Sequence, residues 1–241
     1  MEVNASEIVS FSATSGTGPA EVTLTAGANP YTEERTAKII VRSGSQTKTV
    51  SITQEAGGQV VTIPEFDYLV LRYSWSDEDG TDFDTATGFV NTGLSGVDGY
   101  YVGWSRNWTT TSQSVGDYLQ YGGDNMQSGL ECALINMAAL NSASGLNNES
   151  TFQAEIYGNW YGSRLNGYVT VSFTAYLGGT MEKDGFNFVN SGGDEVYTGS
   201  VTTNVAANGT DNYTNITGLY SHIGTMVYDR ETRDCVIVID N

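Results

Sequence analysis

Apolar and polar residues alternate over many short stretches of this chain, and a period of two predicts strands rather than helices. The cleanest case is YVTVSFTAYL, residues 168–177. There Val169, Val171, Phe173, Ala175 and Leu177 fall on one face and Tyr168, Thr170, Ser172, Thr174 and Tyr176 on the other. One face is expected in a core and the other in water. Further strands are expected at DYLVLRYSW, YYVGW, Phe152 to Trp160, EVYTGSVTTNV, HIGTMVYD and RDCVIVID, punctuated by Gly, Asn and Asp turns. The last two form a hairpin through RETR, and the nearly continuous apolar run of the final strand predicts a central or sandwiched position. LECALINMAAL fits two periods. Leu130, Leu134 and Met137 lie at helical spacing, while the short length and the preceding Gly129 suit a strand, which is the expectation.

Ahead of this region, EVTLTA, AKIIVRS and KTVSITQ give three alternating segments, closed by AGGQVVTIPE with its paired Gly57 and Gly58 and its Pro64. The 241 residues are enough for two cores. The expected organisation is a first domain over 1–57, a linker over 58–66 and a larger antiparallel β-sandwich or jelly roll over 67–241, all-β throughout.

Charge narrows the partners. With 28 acidic residues against 10 Lys plus Arg, a net charge of -18 repels phosphate backbones and anionic lipid alike. No apolar run approaches the roughly 18 residues a spanning helix needs. Neither nucleic-acid binding nor membrane insertion is expected. Cys132 and Cys235 lie in apolar stretches and are expected as buried free thiols. The opening MEVNASEIVSF carries no secretory signal and no cysteine for a lipid, which suits a protein assembled inside a cell and released by lysis.

SATSGTGPAEVTLTAGAN, RTAKIIV and TKTVSITQEAG together resemble a BACON domain, the Bacteroidetes-associated immunoglobulin-like module whose name refers to carbohydrate binding. The family pattern places an aromatic residue before a Ser/Gly turn, Asn at a strand end, then Arg, then a closing Thr-Gln. Phe11, Asn29, Arg35, Thr53 and Gln54 occupy those places, with Phe11 where the family usually has Trp. The resemblance implies an immunoglobulin-like sandwich and a non-enzymatic role. GDYLQYGGDN, NWYGSRLNG and YLGGTM in the larger region are similar to β-sandwich modules in virion proteins of crAss-like and other tailed phages.

Chemistry concentrates in SDEDGTDFD, where Asp77, Asp79, Asp82 and Asp84 surround Gly80 after a strand. Closely spaced oxygen ligands suit a structural Ca²⁺, and a solvated acidic turn is the alternative. Asp124 and Asn125 in YGGDN are placed either to face the same loop or simply to form a Gly-rich turn. Among the aromatic residues, Trp104 and Trp108 bracket SRN ahead of a Thr/Ser-rich loop. They are expected to be more exposed than Trp75, and with Tyr100 and Tyr101 they form the expected glycan contact, core packing being the alternative.

An enzyme would have to use the single histidine, His222, or a carboxylate pair such as Glu131 and Glu155. No G-x-S-x-G elbow occurs, and one His with two separated Cys supplies zinc poorly. The leading expectation is a non-enzymatic phage structural protein, a fibre or decoration protein on the virion surface. Expected partners are copies of itself, other virion proteins and a host surface glycan. The alternatives are a Bacteroidetes cell-surface carbohydrate-binding protein and, more weakly, a glycan-active enzyme.

Overall fold

The structure is a computed structural model that describes residues 9–18, 21–26, 34–54, 57–76, 82–104, 111–127, 129–161, 166–206 and 220–240. The chain divides into two compact units between Val60 and Val61.

The smaller unit contains β1 (Val9–Phe11), β2 (Leu24–Ala26), β3 (Arg35–Ser43) and β4 (Gln46–Gln54). β1 pairs antiparallel with β2, and β3 with β4 across the Gly44 turn, whose φ of 59° favours glycine. Val9 and Ala37 are buried together with Phe11, Ile39 and Ile52 against them. Arg35 is buried at the start of β3, and its Nε donates to Gln54 Oε1 at 2.7 Å, closing the open end of the hairpin. Both belong to the BACON-like pattern.

The larger unit contains β5 (Gln59–Ile63) from Val61 on, β6 (Tyr68–Ser74), β7 (Phe83–Phe89), β8 (Tyr101–Gly103), β9 (Thr111–Ser112), β10 (Ser114–Val115), β11 (Leu119–Tyr121) and β12 (Leu130–Asn136). The short helix α1 (Met137–Asn141) follows, then β13 (Thr151–Trp160), β14 (Asn166–Leu177), β15 (Thr180–Asp184), β16 (Asn187–Ser191), β17 (Asp194–Ala206), β18 (Ser221–Asp229) and β19 (Cys235–Ile239). Among the described residues these form a six-stranded sheet, β10-β11-β12-β6-β14-β17, a seven-stranded sheet, β5-β19-β18-β13-β7-β8-β9, and a separate β15-β16 hairpin.

The two large sheets pack face to face. Leu69, Leu71, Ala133, Ile135, Val171 and Phe173 of one sheet share a core with Phe83, Phe89, Phe152, Ile156, Met226 and Ile237 of the other. Alternation explains most of it: Val169, Val171, Phe173 and Ala175 of β14 are all buried inward. β6 reads as a nearly unbroken apolar run because its other face is also covered, with Val70, Cys132 and Leu134 lying under Phe188 of the β15-β16 hairpin. Arg72 fixes that hairpin, donating from Nε to Asn187 Oδ1 at 2.7 Å and from Nη2 to the Phe188 carbonyl at 3.2 Å.

Three expectations are corrected. Residues 58–66, read as a linker, contain β5, with Val61 and Ile63 in the core; the paired glycines before it masked a short strand. Residues 130–140 are a strand only to Asn136, whose side-chain oxygen accepts from Ala139 N–H and starts α1. Leu177 is exposed: it ends β14 one residue beyond the pairing with β6, which stops at Tyr176 opposite Tyr68, so its face has left the core. The final strand is interior to its sheet, between β18 and β19's other neighbour β5, yet its open face leaves Val236 exposed. Cys132 and Cys235 are free buried thiols in different sheets. Among the described residues no helix is long and apolar enough to cross a membrane.

Candidate functional site

The strand β7, FDTATGF, is buried along its whole length although three of its seven residues, Asp84, Thr85 and Thr87, are polar. Buried polar groups need partners, and two of these find them in the opposite sheet. Thr87 Oγ1 and the Tyr73 hydroxyl are 2.9 Å apart, and Thr85 Oγ1 donates to Glu131 Oε2 at 2.8 Å. Glu131 is fully buried on β12, and its Oε1 also accepts the Asn125 backbone N–H at 3.2 Å.

Beside Glu131, carboxylate oxygens of Asp82, Asp84 and Asp124 all lie within 4.8 Å of one another. Asp84 is 2 % exposed, while Asp82 and Asp124 are half-buried and open the cluster to solvent. Burial and mutual repulsion push these groups up: Asp82 to about 6, Glu131 to about 8 by burial above all, and Asp84 well above the usual carboxylate range. Among the described residues, Asp82 Oδ1, Asp84 Oδ2 and the Tyr121 hydroxyl are buried without a hydrogen-bond partner. The Tyr121 hydroxyl sits beside Glu131 but does not reach it in hydrogen-bonding geometry, and burial raises its pKa.

The outer face of the seven-stranded sheet carries a second group. Tyr101 lies over Gly88 and packs with Ala86 and Tyr220, with Trp104 and Tyr157 against them. The Tyr101 and Tyr157 rings meet edge to face at 5.8 Å, Tyr157 and His222 at 5.2 Å, and Trp104 and Tyr161 at 6.5 Å. His222 Nε2 is 2.6 Å from Glu155 Oε2 and its Nδ1 is 2.6 Å from Asp240 Oδ2, while Thr225 Oγ1 donates to Glu155 at 3.0 Å. Residues 222 and 225 would face opposite ways in a regular strand. An irregularity in the β13-β18 ladder, which moves from Ile156↔Gly224 to Tyr157↔His222, turns both toward Glu155.

Of the residues expected in a glycan contact, Trp104 is half-buried in this aromatic group and Tyr100 is 46 % exposed. Tyr101 is buried, so its ring supports the surface rather than presenting one. Trp108 lies outside the described residues, as do Asp77 and Asp79. Asp82 and Asp84, expected on one loop, are joined by Asp124 from another. Asp84 belongs to a strand. Glu131 is buried against Thr85 between the sheets, whereas Glu155 lies beside His222 on the outer face of the seven-stranded sheet, so they do not form an acid pair. Tyr157, Tyr161, Tyr220 and Asp240 escaped the sequence reading. The only signal was an aromatic density spread over distant segments.

Two packed sheets with a smaller β unit ahead of them define an all-β protein of the sandwich class, its N-terminal unit immunoglobulin-like by family. Residues 4–55 match the BACON family, described as "Putative binding domain, N-terminal". No curated protein and no solved structure matches the chain.

Proposed function

We propose that the chain is a non-enzymatic protein displayed on a surface, and that its larger sandwich touches glycans through the outer face of the seven-stranded sheet. One observation carries this reading: ring contacts run from Tyr161 and Trp104 to the Tyr101, Tyr157 and His222 group and end on the carboxylates of Glu155 and Asp240. Flat rings cover the apolar faces of sugars, and carboxylates accept from their hydroxyls. The BACON match at the N-terminus agrees with such a role.

The surface in this reading is that of a phage particle, where the protein serves as a fibre or decoration protein. Support comes from the likeness of the GDYLQYGGDN, NWYGSRLNG and YLGGTM segments to virion sandwiches. Self-association belongs to the same reading. Ile40 and Val41 are 54 % and 55 % exposed although adjacent strand residues point to opposite faces, so both faces of the β3-β4 hairpin offer apolar surface to another copy.

A glycan array probed with the wild type, Trp104→Ala and Tyr161→Ala tests the contact surface. Binding by the wild type that both variants lose is expected. Binding that survives both substitutions rejects this face. Antibody labelling of purified particles against the bacterial envelope separates display on a virion from display on a cell, and a strictly monomeric mass by light scattering rejects self-association.

A further inference from the structure

We infer that Asp82, Asp84 and Asp124 are ligands of one Ca²⁺ ion, with Glu131 holding the Asp124 loop in place behind them. The inference stands apart from the glycan reading and does not depend on it.

Ca²⁺ binds oxygen at about 2.4 Å, so two ligands of one ion lie at most about 5 Å apart. The three carboxylates meet that limit, with ligand oxygens within 4.8 Å of one another. They come from two segments about 40 residues apart, Asp82 and Asp84 at the start of β7 and Asp124 after β11. A solvated acidic turn does not require that convergence.

Among the described residues, Asp84, 2 % exposed, has Oδ2 unpartnered, and Tyr121, also 2 % exposed, leaves its hydroxyl unpartnered beside the same carboxylates. A buried polar atom without a partner is costly, and native structures leave few of them. Among the described residues none of the three aspartates is in an ion pair with Lys or Arg. A cation at their centre would satisfy the orphaned oxygens and offset the repulsion together. The donors are all oxygen, which suits a hard cation. Half-buried Asp82 and Asp124 leave a way in for the ion and for the water ligands that complete six to eight oxygens.

Glu131 is a positioning residue. Its two oxygens are engaged by Thr85 Oγ1 and by Asn125 N–H, the residue after Asp124, so it ties the loop ligand to the strand that carries Asp84.

The test is calorimetric titration of the chelator-stripped full chain with CaCl₂, alongside thermal melts in CaCl₂, MgCl₂ and EDTA. We expect one Ca²⁺ per chain and a melting point raised by roughly 5 °C or more in excess Ca²⁺, since an ion held only by the fold stabilises it. Asp84→Asn and Asp124→Asn should lose both responses. If Asp84→Asn does not fold, Asp124→Asn at the rim carries the same prediction. Tb³⁺ adds a direct readout: its luminescence on excitation at the tyrosine band should fall in Tyr121→Phe while Ca²⁺ binding persists. Absence of a binding heat in the wild type overturns the inference. So does a full Ca²⁺ response in Asp124→Asn, and an equal response to Mg²⁺ overturns the assignment to calcium.

Discussion

Thr85 Oγ1 donates to Glu131 Oε2 across the interior, joining the middle of one sheet to the other at 2.8 Å. With Tyr73 and Thr87 it makes a short polar seam through an otherwise apolar core. A seam of this kind specifies register, because a one-residue slip of β7 would turn both threonines away from their partners.

Thr85→Val therefore should cost about 1–3 kcal/mol, the penalty of leaving a buried acceptor short of its donor. Urea denaturation measures it. Thr170→Val, which breaks an exposed Thr170–Thr202 contact, should stay within about 0.5 kcal/mol and serves as the reference. Equal losses in the two variants would contradict the seam.

His222 sets a pH dependence. Burial alone would lower its pKa, but its hydrogen bonds to Asp240 and Glu155 outweigh that and hold it at about 9, above an ordinary value near 6.5. The charged ring thus favours the folded state. Its contribution is complete below about pH 6.5 and is lost as pH rises through about 9. Because the ring is solvent-exposed, the gain is expected at about 1 kcal/mol or less. The melting-point difference between wild type and His222→Asn should shrink between pH 6 and pH 9.5, and a constant difference would refute the assignment.

Arg72 should control the β15-β16 hairpin. Besides Asn187 and Phe188 it donates to Thr174 Oγ1 at 2.6 Å. Arg72→Met keeps much of the stem and removes all three bonds. A loss of about 2–4 kcal/mol is expected, since bonds to charged groups are each worth about 1.5–3 kcal/mol and share one side chain. Limited proteolysis should move to residues 180–191 first; unchanged cleavage there would show that Phe188 packing suffices.

Gly88→Val tests the outer aromatic group. A Cβ at Gly88 would stand 2.5 Å from the Tyr101 ring and 2.6 Å from the Tyr100 carbonyl, so the ring must leave its place. Overpacking of this order costs about 1–3 kcal/mol, and near-UV circular dichroism should lose tyrosine signal. A retained spectrum would mean that Tyr101 is not held there.

The strands that alternate cleanly were legible in the sequence. β14 announces itself because one face is apolar, β18 and β19 because they are apolar runs between turn residues, and the burial of Cys132 and Cys235 follows from such apolar stretches. β7 did not. Its Asp84, Thr85 and Thr87 erase the apolar signature, and the Asp-rich turn before it drew Phe83 and Asp84 into a predicted loop. What compensates these polar residues lies in Tyr73 and Glu131, 14 and 46 positions away, and no local pattern reports such pairings. The Asp82, Asp84 and Asp124 grouping was half visible for the same reason. Composition marks each acidic loop, while sheet pairing decides which loops meet. The meeting of His222 and Thr225 at Glu155 depends on a ladder irregularity beside Ile223, which neither propensity nor periodicity encodes.

The two thiols give the molecule a built-in pair of reporters. Cys132 sits in one sheet and Cys235 in the other, each buried and unbridged. A thiol reagent added during slow unfolding would reach whichever residue its own sheet uncovers first. The order of labelling would therefore tell whether the sandwich opens as a single cooperative body or lets one sheet peel away before the other.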